Sequence, residues 1–135
     1  MIKGLYPFGL NHYRSLKFQK LRKLISKNQK KIKVEGAYGS SLSFLLIDIF
    51  SSINQQIFYI SNSKETASYV YSDIVELIGE INCSFLPSNY RSDAKKIKDE
   101  SNIINRSKTI RDILDKETKI TVSYTHLRAH ETFRY

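Results

Sequence analysis

A chain of 135 residues with 22 Lys and Arg against 13 Asp and Glu, a formal charge of +9 and a single cysteine supports one domain at most. It excludes a disulfide framework and a cysteine-built metal site. Met1 to Leu10 lacks a sustained apolar stretch, and the densest apolar run, Phe44 to Phe50 (FLLIDIF), is interrupted by Asp48 and far shorter than the ~20 residues of a membrane span. A soluble, cytoplasmic protein with no membrane partner is expected.

In chain order, Ser15 to Lys27 reads as a helix, with Phe18, Leu21, Leu24 and Ile25 on one face. Lys31 to Val34 (KIKV) reads as a short strand, and Leu42 to Ile53 as a second helix. Gln56 to Ser61 (QIFYIS) is a continuous apolar run of the kind a strand shows when covered on both faces. Asn62 or Ser63 then caps a helix to about Ile78, with Ala67, Val70, Tyr71, Ile74, Leu77 and Ile78 at helical spacing and Gly79 as its stop. Cys83 to Leu86 reads as a strand closed by Pro87, followed by a polar stretch from Ser88 to Asp99. A last helix spans about Ser101 to Asp115, and Lys119 to Thr121 open a further strand. Alternation of this kind predicts an α/β fold, a partial parallel sheet with helices on both faces.

Between the KIKV strand and the helix that follows lies the sequence GAYGSSLS, Gly36 to Ser43. A phosphate-binding loop of the form G-x-x-x-x-G-K-[ST] needs its second Gly so that the backbone can curl around the phosphates. Its Lys meets the charge on the outer two. Here Ser41 holds the Gly position and Leu42 the Lys position, while Ser43 keeps the hydroxyl. The expected nucleotide-binding set is therefore a degenerate loop of Gly36, Gly39, Ser40, Ser41, Leu42 and Ser43, inactive toward ATP. Gly36 and Gly39 are most simply turn glycines with positive φ; the serines at a helix start leave room for weak anion binding.

The tail Val122 to Thr132, VSYTHLRAHET, resembles the translation of a transposase-type sequencing adapter. On that reading the native chain ends by truncation near Thr121, with a domain over residues 15–121 and an adapter-derived tail over 122–135. His126, His130 and Glu131 are then not metal ligands. The body is rich in Lys, Ile, Asn, Ser and Tyr, whereas His126, Arg128, Ala129 and His130 need G/C-rich codons.

The order GAYGSSLSFLLIDIF, QIFYISNSKETASYVYSDIVELIG, FLPSNYR, INRSKTIRDIL and KITVSY resembles the start of the bacterial transcription-repair coupling factors in their Bacteroidetes-like form. The most specific parts are the loop with Ser and Leu in place of Gly and Lys, and the segment FLPSNYR with Phe85, Pro87, Tyr90 and Arg91. The resemblance implies the first, truncated part of an α/β domain of the degenerate P-loop NTPase kind, homologous to domain 1a of the repair protein UvrB, and unable to use ATP. It implies no cofactor for this fragment. In the intact family the partners are UvrA, RNA polymerase and DNA. A separate ATP-dependent DNA translocase motor displaces the stalled polymerase, and UvrA is recruited through a domain inserted beyond the end of this chain. The role implied here is non-catalytic and mainly intramolecular, helping to hold the resting protein closed against its motor.

Other residues carry weaker signals. Asp48 and Glu76 sit on apolar helices with no base or metal-ligand partner nearby and read as solvent-edge positions; His12 reads as a surface residue. The segment from Arg14 to Lys33, with Lys17, Lys20, Arg22, Lys23, Lys27, Lys30, Lys31 and Lys33, has the density that attracts phosphate backbones. Lysines on any solvated helix face serve solubility equally well, and that is the stronger reading. Two function classes follow: an interaction module of a DNA-repair translocase, or a P-loop-type domain with residual ATP binding. Leu42 separates them, because an apolar side chain cannot replace an ammonium facing a triphosphate, a charge-assisted contact worth about 1.5–3 kcal/mol.

Overall fold

The computed structural model describes residues 16–87 and 96–125. Arg14, His12, Tyr90, Arg91 and the histidines and Glu131 of the tail lie outside the described residues. The elements are α1 (Leu16–Ser26), α2 (Ser40–Ile53), β1 (Ile57–Ser61), α3 (Lys64–Ile78), a single 3-10 turn (Glu80–Asn82), β2 (Cys83–Leu86), α4 (Lys96–Leu114) and β3 (Ile120–Tyr124).

The three strands form a parallel sheet in the order β1-β3-β2. Ile120 pairs with Ile57 on one side and Cys83 on the other, and the register runs on through Tyr59, Val122 and Phe85. The connection β1-α3-β2 passes over β3 in one direction and β2-α4-β3 returns in the other, so right-handed crossovers put α3 and α4 on opposite faces. Side chains agree with this. Tyr71 of α3 meets Phe85 edge-on at 5.4 Å, whereas Asp112 of α4 reaches Ser84, whose side chain leaves the other face of the same strand.

The core lies on the α3 face. Ile120, Val122 and Tyr124 of β3 meet Ala67, Val70, Ile74 and Ile78 of α3, and Leu46, Ile47 and Phe50 of α2 complete the cluster. Helix α3 forms where the periodicity predicts it. The Ser63 hydroxyl accepts from the Thr66 amide at 3.1 Å, closing the first turn, and Gly79 ends the helix at φ 83° with its amide on the Val75 carbonyl. Helix α2 ends on Asn54 in the left-handed region, its amide on the Phe50 carbonyl at 3.2 Å.

Five expectations are corrected. Lys31 to Val34 forms no strand and pairs with none of the three; four residues of which two are lysines do not supply the apolar surface that a place in this sheet requires. Strand β1 is covered on one face only, with Phe58 51% and Ile60 62% exposed, because α4 sits toward β2 and buries Ser84 and Thr121 instead. Helix α4 starts at Lys96, five residues before the expected Ser101, since KIKDE contains no helix breaker. Strand β3 continues across Val122, Ser123 and Tyr124, the first residues of the segment assigned to the tail.

The fifth correction concerns Asp48, which is buried rather than at a solvent edge. Its carboxylate accepts from the Arg22 guanidinium through both oxygens, with Arg22 Nε at 2.9 Å from Oδ2. This two-pronged pair, together with buried Leu21, fastens α1 to α2. The partner lies 26 residues upstream, so no local pattern announces it. The side chain of Asp48 is 3% exposed and that of Arg22 37%, which moderates the energetics. Arg22→Ala is expected to cost about 1–3 kcal/mol in urea unfolding, less than the ~3–5 kcal/mol of a fully buried pair, because water reaches the guanidinium side. The double replacement Arg22→Met with Asp48→Leu is expected to recover most of that loss.

Candidate functional site

The loop from Gly36 to Ser43 is built as a turn. Gly36 has φ 84° and Gly39 φ 54°, a region L side chains rarely adopt. A Cβ at either position would meet nothing within 4 Å, so backbone conformation, and no close approach of another group, explains glycine there. The Ser41 amide donates to the Tyr38 carbonyl at 3.2 Å and the Leu42 amide to the Gly39 carbonyl at 3.1 Å. Two of the donors that a phosphate cradle would aim at its anion are thus turned into the loop itself.

The side chains follow the same geometry. Ser40 and Ser41 are exposed. Leu42, in the lysine position, is half-buried and packs against the core. Ser43 is fully buried, and its hydroxyl donates to Asp73 Oδ2 of α3 at 3.0 Å. The hydroxyl that would hold a magnesium ion in a working loop joins α2 to α3 instead. On its outer side the loop borders a groove of about 620 Å³ between α1 and α2, where Leu21, Leu24, Val34 and Phe44 supply apolar walls beside Gly36 and Ser41.

The basic segment is only partly committed. Arg22 is held by Asp48 and Lys33 pairs with Glu35 at 2.5 Å. Lys17, Lys20, Lys23, Lys27, Lys30 and Lys31 are exposed, on a short helix and the irregular chain that follows it. Glu76 is exposed on α3, as expected.

A second, polar groove of about 600 Å³ runs along β2 between α3 and α4, lined among others by Tyr71, Cys83, Ser84, Thr109, Asp112 and Lys119. Sequence reasoning missed it, because its residues come from four separated segments. Lys119 bonds Asp112 at 2.8 Å and Glu117 at 2.7 Å, and the hydrogen bond to Asp112, then that to Glu117, raises the pKa of its ammonium. Burial, aided by the Glu80 charge, pushes the Cys83 thiol up to about 11. Burial also raises the Tyr71 phenol, with Cys83 and Glu80 adding to the effect. The groove therefore presents a thiol kept protonated and an ammonium already neutralised by carboxylates, which is not the pattern of an activated nucleophile. Among the described residues no group of three or more His, Cys, Asp or Glu is arranged to hold a metal ion, and no helix is long and apolar enough to cross a membrane.

Set against known protein families, curated proteins and solved structures, the chain matches none.

The state of Cys83 can be checked directly. Iodoacetamide is expected to label it slowly near neutral pH in the folded protein and fast in urea. Because the folded thiol ionises above the ordinary value of 9.0, its contribution to stability is complete below that value. That contribution is lost as pH rises toward about 11. Cys83→Ala should flatten this alkaline fall in an unfolding series; an equally steep fall would show that other groups cause it.

Proposed function

We propose that this chain is a non-catalytic α/β module of a transcription-repair coupling factor, of the degenerate P-loop kind related to domain 1a of UvrB. In that setting it belongs to transcription-coupled nucleotide excision repair, where the intact protein displaces stalled RNA polymerase and recruits UvrA. The observation that carries the reading is the fate of the loop. Leu42 turns into the core where a nucleotide-binding loop projects its lysine, and Ser43 is spent on Asp73. The ordered resemblance from the loop to KITVSY supports the same conclusion. A parallel sheet with crossover helices is consistent with an α/β module.

In this role the module acts through contacts within the larger protein, and it needs neither nucleotide nor metal. Isothermal titration with ATP and magnesium is expected to give no binding at micromolar nucleotide, whereas micromolar affinity would favour the P-loop domain with residual ATP binding. Added in trans to the isolated motor of a related coupling factor, the chain is expected to lower its ATPase rate; an unchanged rate would remove the regulatory part of the reading.

The proposal extends to the tail. From Val122 to Thr132 the residues are taken as adapter-derived, so their codons should match the adapter strand base for base. Synonymous codons scattered through that stretch would overturn this part and leave the module reading to stand on the loop.

A further inference from the structure

Strand β1 is an edge strand, and among the described residues nothing pairs with its outer side. Two hydrogen bonds at its ends establish which way its backbone faces. The Ile57 amide donates to the Lys119 carbonyl at 3.1 Å, and the Thr125 amide donates to the Ser61 carbonyl at 2.9 Å. Backbone groups of alternate residues in a strand point to the same side. Ile57, Tyr59 and Ser61 therefore turn theirs toward β3, and Phe58 and Ile60 turn theirs outward. The side chains of these same two residues stand on the uncovered part of the α4 face.

The opposite edge of the sheet is treated differently. The Leu86 carbonyl accepts from the Ser123 hydroxyl of β3 at 3.0 Å, so the outer edge of β2 belongs to Phe85 and Pro87. Both of their carbonyls are occupied by α4, through the Thr109 hydroxyl at 3.2 Å and the Arg106 guanidinium at 2.7 Å. Strand β1 carries none of the devices that blunt an edge: no Lys, Pro or inward charge interrupts IFYIS. No charged residue occurs anywhere from Asn54 to Ser63, in a chain of net charge +9.

We propose that β1 is a self-association surface, pairing antiparallel with β1 of a second copy about a two-fold axis at Tyr59. The register is self-complementary. Phe58 of each copy falls opposite Ile60 of the other, in positions where two residues exchange both of their backbone hydrogen bonds. Their side chains lie on one face, so each copy contributes to two aromatic against β-branched cross-strand pairs. Symmetry supplies this match without any further chain. The uncharged edge lets two basic molecules meet there without placing like charges opposite one another, and it offers nothing to a polyanion.

Sedimentation velocity on the full chain over a rising concentration series tests this. The unaltered protein is expected to approach twice its 15.7 kDa mass. The double variant Phe58→Lys with Ile60→Lys sets lysine against lysine at both cross-strand positions and should stay monomeric with an unchanged far-UV spectrum. Phe58→Lys with Ile60→Glu sets opposite charges at the same two positions and should restore the dimer. A monomeric unaltered chain, a dimer that persists in the double-lysine variant, or failure of the lysine–glutamate variant to associate would each overturn the proposal. If the double-lysine variant loses its fold, amide exchange in the unaltered chain decides. Protection at Phe58 and Ile60 that rises with concentration supports the pairing, and protection independent of concentration refutes it.

Discussion

The sheet exists because of β3. Among the described residues, strands β1 and β2 do not pair with each other; each bonds to the central strand, which supplies Ile120, Val122 and Tyr124 to the core between them. Removing β3 would leave two isolated strands and strip α3 of its contacts with Ile120, Val122 and Tyr124. Two of its three core residues, Val122 and Tyr124, come from the stretch that resembles adapter translation. Their side chains fit for a simple reason. Apolar, small, aromatic is the alternation a strand needs when one face is packed and the other is partly covered by a helix. The contacts are also non-local, since β1 waits for a partner that follows two further helices, and chains built on such pairings fold slowly.

Around this frame the loop from Gly36 to Ser43 acts as a packing element. The glycines still allow positive φ, but the amides they release are bonded within the turn. Leucine in place of lysine exchanges a projecting charge for apolar contact, and the neighbouring serine finds a carboxylate on α3. Ser43 thereby forms part of the joint between α2 and α3. The joint between α1 and α2 is polar as well, through Arg22 and Asp48. Of the basic segment, then, one cation is structural and its lysines are left on the surface, where they act by charge alone.

The two edges of the sheet illustrate how coverage sets behaviour. Helix α4 lies toward β2, where its side chains reach the outer carbonyls and bury Ser84 and Thr121. At the other end of the same face Gln56 bonds the carbonyls of Ile113, on α4, and of Glu117, just beyond it. That leaves the side chains of Phe58 and Ile60 exposed, beside backbone groups that pair with nothing among the described residues. One helix cannot shield both ends of even a three-stranded sheet.

Much of this was written locally in the chain. Helix α3 with its Ser63 cap and Gly79 stop, the apolar face of α1, the body of α2 and the short strand β2 follow from periodicity, capping and turn chemistry, which act over a few residues. That position 42 of the loop carries leucine rather than lysine was equally plain. Tertiary structure alone decided the strand order, the failure of Lys31 to Val34 to enter the sheet, the open face of β1, the burial of Asp48 against Arg22 and the assembly of the groove beside β2. Each of these depends on groups far apart in sequence. A strand forms only if another strand accepts its hydrogen bonds, and a carboxylate is buried only if a cation arrives to meet it; neither condition can be read from the residues on either side.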